Sequence, residues 1–233
     1  MVIDKPAGLL VHETAAHETE TLVNYIVRHI KDAKKMNWPD STRQGIVHRL
    51  DKNTSGLMIV AKTPEILAKL QQQFKDRQVK KEYTTLVYGL PKPKQGSIEA
   101  AIGRHPTKDQ QTIIPMTFAW TKGKSRPAIT QYKVVGEYQW QKQPLALIIA
   151  KPLTGRMHQI RVHLKYLGHP IIGDQIYFTK PSKRLSKELG INRQFLHASK
   201  IIFTYPINHQ SLQFVSPLPN ELQNILTKLE RKS

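Results

Sequence analysis

The sequence predicts an α+β fold built on a largely antiparallel, mixed central β-sheet flanked by helices and loops. Short β-prone runs outnumber the helical stripes, and they come in clusters, whereas a doubly wound parallel sheet alternates strand and helix. No repeat, low-complexity segment or composition shift interrupts the 233 residues, so residues 1–233 are expected to form a single domain.

The elements follow in order. Leu22, Tyr25, Ile26, His29 and Ile30 form a 3.6-residue stripe, which predicts a helix over residues 21 to 31 with Thr19 or Thr21 as its cap. Gly45-Ile46-Val47 and Leu57-Met58-Ile59-Val60 are apolar and β-prone. They bound the turn Lys52-Asn53-Thr54-Ser55-Gly56, which predicts strand, loop, strand. Thr63, Pro64 and Glu65 open a helix whose inner face carries Ile66, Leu67, Leu70 and Phe74. Lys81 to Leu90 reads as a strand, Pro91 to Gly96 as a loop, and Ala128 to Val135 and Leu145 to Ala150 as two of several short strands. Thr154-Gly155 opens a helix that lays Met157, Ile160, Leu164 and Leu167 inward and closes at Gly168. A strand pair, Phe195 to Tyr205 and Ser211 to Val215, precedes a C-terminal helix marked by Leu222, Ile225, Leu226 and Leu229.

Composition narrows the function. With 36 Lys and Arg against 17 Asp and Glu, the formal charge of +19 implies a polyanionic partner, and nucleic acid leads. A membrane surface would favour a basic amphipathic helix or a clustered polybasic run, but here the charge is spread along the chain. The absence of cysteine excludes thiolate zinc sites, disulfides and cysteine nucleophiles. Ten histidines include no His-Glu-x-x-His, and His158 and His163 stand five apart, so no metal is expected. The N-terminus lacks the pattern of a secretory signal and no apolar run reaches membrane-spanning length, which points to a cytoplasmic protein.

Three residues stand out for chemistry. Asp51 is a loop carboxylate flanked by Arg49 and Lys52 and held between two apolar runs; it is either a site residue or an Asx-turn that caps its own backbone. Arg161 sits at the edge of the apolar stripe of its helix, so it needs an acceptor, with Asp51, Glu99 and Asp174 as candidates. Only Asp51 already looks like a site residue, and a pair with it would keep the acid ionised, at about 4 Å or less. Tyr83 follows Lys80, Lys81 and Glu82 and can stack on a base, move a proton or pack in a sheet.

Five blocks then converge on a family. Ile3 to His12 (Ile-Asp-Lys-Pro-Ala-Gly-Leu-Leu-Val-His), Gly45 to Gly56, Thr154 to His163, Gly168 to Asp174 and Leu196-His197-Ala198 resemble, in order, the motifs of the RluA-type pseudouridine synthases. The resemblance implies the pseudouridine synthase catalytic-domain fold and an isomerase that converts uridine to pseudouridine in RNA. It also implies Asp51 as the essential carboxylate, Tyr83 against the base, Arg161 paired with Asp51, and Arg49 entering the RNA stack where the target base was. His48, Lys52, Lys80, Lys81, Arg156 and His158 are the further expected RNA contacts. No cofactor is implied; the partner is ribosomal large-subunit or transfer RNA, and a monomer is expected. Many relatives carry an S4 domain before the catalytic one, and this chain starts at the Lys-Pro-Ala-Gly block, so an S4 domain is expected to be absent from it. Met157 stands where the family commonly has threonine, Ala101 where a proline is frequent, and residues 107 to 125 look irregular against the family pattern. The competing function is a basic, non-catalytic RNA-binding factor, which has no use for an acid in a phosphate-facing groove. A DNA-binding protein lacks any supporting helix-turn-helix or zinc-finger pattern.

Overall fold

The computed structural model describes residues 1–13, 20–108, 110–114 and 125–232; Thr19 and most of the segment from 107 to 125 lie outside them. The chain divides into two units, Met1–Lys81 with Ala198–Ser216, and Glu82–His197 with Pro217–Ser233.

The first unit is a sheet backed by helices. Strand β1 (Val2–Lys5) runs antiparallel to β2 (Ser55–Ile59), with Val2 opposite Ile59 and Lys5 opposite Gly56. Part of β10 (Leu196–Thr204) belongs here and pairs with β11 (Ser211–Val215), Thr204 opposite Ser211. Helix α1 (Leu22–His29) starts at Thr21, whose hydroxyl accepts from the Asn24 N–H in a capping box. Helix α2 (Pro64–Lys75) is capped by Thr63 with Pro64 in its first turn, and it buries Leu67 and Leu70. These meet Trp38, Leu57, Ile59, Ile201 and Phe203 in one core. Gln73 locks the helix to the sheet, donating from Nε2 to the Thr204 carbonyl (2.7 Å) and accepting the Thr204 N–H (3.1 Å).

One expectation fails in this unit: residues 45 to 47 form no strand. Ile46 meets Val60 only through an isolated bridge, because Gly45 turns the backbone at φ +73°.

In the second unit β3 (Lys80–Tyr88, from Glu82 on), β9 (Gln143–Pro152), β8 (Ile129–Trp140) and β12 (Glu230–Arg231) lie side by side, with β4 (Gln95–Glu99) also on β8. The β8–β9 hairpin turns through Gln141 and Lys142, both at positive φ (45° and 69°), as a twist-matched tight turn requires. Strands β8 and β9 exceed their sequence-predicted lengths, and β4 takes in Gln95 and Gly96, which the sequence had placed in a loop. A smaller sheet has the order β6 (Gln111–Ile114), β5 (Ala101–Arg104), β7 (Ser125–Arg126).

Helix α3 (Gln159–Tyr166) begins later than its Thr154-Gly155 signal suggested. The Gln159 side chain explains the delay. Its Oε1 accepts the Thr154 hydroxyl (2.7 Å) and the Arg156 N–H (3.0 Å), which holds residues 154 to 158 as a turn. Helix α4 (Lys180–Glu188) has the Thr179 cap but only Leu185 as an apolar anchor, so no stripe revealed it; α5 (Asn220–Thr227) buries Leu222, Ile225 and Leu226 as expected. No helix among the described residues is long and apolar enough to cross a membrane.

Candidate active site

The Asp51 loop is held by main-chain contacts from the start of the chain. Lys5 is fully buried at the end of β1, and its ammonium donates to the carbonyls of Pro6 (2.7 Å), Leu9 (2.9 Å) and Lys52 (3.0 Å). Three donors meet three acceptors, which makes a buried ammonium tolerable. Gly8, at φ +87°, sends its N–H to the same Lys52 carbonyl (2.9 Å). The Thr54 N–H closes a turn onto the Asp51 carbonyl (3.0 Å), and Leu50, Thr54 and Ser55 are buried on either side. Asp51 itself is half-buried, and Lys52 is exposed.

Gly56 ends the loop. At φ +116° it lies so close to Ala198 that a side-chain carbon would meet the Ala198 N at 2.5 Å and overlap its carbonyl oxygen. Two of the quoted blocks, one around Asp51 and one at Leu196-His197-Ala198, are therefore spaced by one backbone contact.

His48, three residues before Asp51, faces inward. Its ring stacks on Phe74 (centroids 4.5 Å apart), and its Nε2 accepts the Ile59 N–H at 3.0 Å. That bond requires an unprotonated Nε2, and burial together with the Lys81 charge pushes the imidazole down to about 3. The Lys81 Nζ stands 5.4 Å from the centre of the same Phe74 ring, and burial lowers its ammonium to about 8. Arg49 and Lys80 are exposed.

In the second unit Arg161 is 4% exposed on α3. Of the carboxylates open to it on sequence grounds, Asp174 is a partner: Nε to Oδ2 is 2.7 Å and Nη2 to Oδ1 is 2.9 Å. The Ile176 and Tyr177 N–H groups also donate to Asp174 Oδ1, each at 2.9 Å. Burial alone would raise this carboxyl; the hydrogen bond and charge of Arg161 and the two N–H donors outweigh it and hold the group below the usual carboxylate range. Glu99 is exposed, with Ser97 as its hydrogen-bond partner.

The guanidinium carbon of Arg161 lies 5.1 Å from the centre of the Tyr177 ring. The Tyr177 hydroxyl accepts the Gln111 N–H (2.8 Å) and bonds His158 Nδ1 (2.9 Å). His158, in the left-handed region at φ +57°, precedes the helix instead of riding on it. His163 is spent on the scaffold, its Nδ1 on the Thr130 hydroxyl (3.0 Å) and its Nε2 on the Ala100 carbonyl (3.1 Å). Arg156 Nε donates to the Pro127 carbonyl at 3.3 Å. Tyr83 is buried on β3, opposite Ala150 of β9.

The family model for RNA pseudouridylate synthase matches residues 1–166. The chain belongs to this family. An uncharacterized RNA pseudouridine synthase of Chlorobaculum parvum is 42% identical, the match covering 98% of this chain and 71% of the relative. Ribosomal large subunit pseudouridine synthase D of Neisseria meningitidis serogroup B is 37% identical over 98% of this chain and 58% of its own length. Among solved structures, human RNA Pseudouridylate Synthase Domain Containing 4 superposes with a TM-score of 0.72 at 27% identity, covering 98% of this chain and 90% of that one.

The residues singled out in this pseudouridine synthase are divided between the units. Asp51, Arg49, His48, Lys52, Lys80 and Lys81 belong to the first, and Tyr83, Arg156, His158 and Arg161 to the second. The sequence assigns no role at the site to Lys5, His12 or Tyr177, and marks Phe74 only as helix packing. Lys5 and His12 lie within the Lys-Pro-Ala-Gly block, so position inside a block was the available signal for them; Tyr177 lies three residues beyond the block that ends at Asp174 and carried none.

Proposed function

We propose that this synthase isomerises uridine in structured RNA, large-subunit ribosomal RNA first, as a cytoplasmic monomer. Asp51 is the essential carboxylate, Tyr83 meets the uracil, and Arg161 is the acid's proposed cationic companion. In this reading the bond from C1′ to N1 breaks, the base turns, C5 bonds to C1′, C5 loses its proton and N1 gains one. Nothing is oxidised or reduced, so no cofactor is called for.

A uridine within a helix cannot present its glycosidic carbon until it is flipped out, and a planar guanidinium suits the vacated stack. Arg49, two residues from Asp51 and exposed, is proposed for that place. Lys52, Lys80, Lys81, Arg156 and His158 are proposed as further RNA contacts. His48, with Nε2 and a ring face engaged in its own unit, is better assigned to bracing the loop.

The observation that carries this reading is the anchoring of the Asp51 loop. A fully buried ammonium and a left-handed glycine both converge on the carbonyl next to the acid. Such fixing is what a reacting group requires and what a solvating acid does not. The choice of ribosomal RNA rests on the name of the Neisseria relative and on the charge of +19.

Asp51→Asn is expected to abolish pseudouridine formation, read by carbodiimide labelling of treated RNA, while retaining RNA affinity. Undiminished conversion by that variant refutes the assignment. Labelling of ribosomal and transfer RNA from cells with and without the gene decides the substrate, and new sites confined to transfer RNA would overturn the ribosomal choice.

A further inference from the structure

Arg49 makes one hydrogen bond among the described residues, from Nη1 to His12 Nε2 at 3.2 Å. His12 is 7% exposed, and its Nδ1 is buried without a partner among the described residues. Arg49 is thus the one hydrogen-bond partner of a nearly buried imidazole there.

A buried ring of this kind gives up hydration for little return as a mere core residue. A guanidinium has donors and no acceptor, so Nε2 must be the unprotonated acceptor of the pair. Burial and the charges of Arg49 and Arg43 push His12 below the ordinary imidazole range, against the opposing pull of Asp40, so the accepting form is the one present at neutral pH. Both residues line a cavity of about 320 Å³ with Arg43, Ile46, Val47 and Leu67. Close packing does not confine the guanidinium on that side. Its one hydrogen bond among the described residues goes to the imidazole, with the Asp51 charge as a further attraction.

We propose that His12 is a positioning residue for Arg49: its neutral Nε2 docks the guanidinium in the RNA-free protein and orients it for entry into the RNA helix. This rests on the stack-filling role given to Arg49 above. One bond to a neutral acceptor suits the task, because it restricts a long side chain and still lets go when stacking begins. A carboxylate in the place of His12 would hold the guanidinium harder and oppose its release. His12 belongs to the first quoted block and Arg49 to the second, so the dock couples the start of the chain to the Asp51 loop by a side-chain contact separate from the Lys5 anchor.

The test compares the full chain with His12→Ala, His12→Gln, Arg49→Ala and the double variant His12→Ala/Arg49→Ala. Single-turnover conversion of an in vitro transcribed large-subunit ribosomal RNA is measured, with thermal melts to verify folding. His12→Ala should lower the rate about tenfold, His12→Gln should recover most of it through its amide oxygen, and His12→Ala should cost nothing more once Arg49 is alanine. A loss that persists in the Arg49→Ala background, or a folded His12→Gln variant as slow as His12→Ala, overturns the proposal and leaves the role of Arg49 standing. If Arg49→Ala converts RNA at the wild-type rate, the stack-filling reading fails and the dock fails with it. Nitrogen-15 NMR of His12 in the unmodified protein reads the same contact without activity. An unprotonated Nε2 whose signal moves on Arg49→Ala supports the dock, and a protonated Nε2 at neutral pH refutes it.

Discussion

Arg161 and Asp174 form a two-point ion pair away from solvent, Nε to Oδ2 at 2.7 Å and Nη2 to Oδ1 at 2.9 Å, with side-chain exposures of 5% and 0%. Removing one member of such a pair strands the other's charge in a poor dielectric. Asp174→Ala is therefore expected to lower stability by about 3–5 kcal/mol, measured by urea unfolding. The Asp174 carboxyl is depressed in the folded protein, so its contribution is present above the unfolded carboxylate value of about 3.9 and fades as pH falls through the lower folded value. The variant should consequently lose part of the acid sensitivity of the parent. An unchanged acid limb would show that the pair is not what titrates.

Gly56→Ala tests the backbone contact with Ala198. The added carbon meets main-chain atoms that cannot swing aside, at a φ of +116° that L-residues avoid. Clash and strain together should cost at least about 3 kcal/mol, seen as a large fall in melting temperature or as insoluble protein. A well-folded variant with a near-parental melt would mean that the two segments separate easily.

Lys5→Met keeps an apolar stem of similar reach and deletes the donors to Pro6, Leu9 and Lys52. Three carbonyls lose a charged, buried partner at once, so stability should drop by several kcal/mol, on the order of 3–5. Under folded conditions, protease nicking near residues 50 to 56 should rise and RNA conversion should slow, with RNA affinity changed less. Equal conversion rates would detach the anchor from the chemistry.

His48 supplies a pH test of opposite origin to Asp174. Its folded value is pushed from 6.5 to about 3, so below 6.5 the unfolded chain takes up a proton that the folded chain refuses. Stability is complete above that value and declines as pH falls from 6.5 toward 3, by up to about 1.4 kcal/mol per pH unit. His48→Gln should flatten the decline in that window, measured by denaturation midpoints at stepped pH. An identical slope in both proteins would remove His48 as its source.

Much of the architecture was legible because its signals are local. Thr63 followed by Pro64, and the stripe through Leu22 and Ile26, report on their own helices without reference to distant chain. What escaped depends on separated residues meeting. Lys5 looks like an ordinary surface lysine until the Lys52 carbonyl, forty-seven positions away, is placed beside it. The start of α3 was misjudged because Gln159 reaches back to Thr154 and Arg156, a side-chain choice that a stripe of apolar residues does not encode. Arg161 was recognised as needing an acid, and Asp174 was among the three candidates. Selecting it required the turn that aims the Ile176 and Tyr177 N–H groups at the same carboxylate.

The Lys5 anchor grips residue 52 by its main-chain oxygen and ignores its side chain, which points to solvent. Every amino acid offers that oxygen. A lineage can therefore exchange the exposed residue beside Asp51, and with it the local surface charge, without rebuilding the support beneath. Sequence can drift there while the loop stays put.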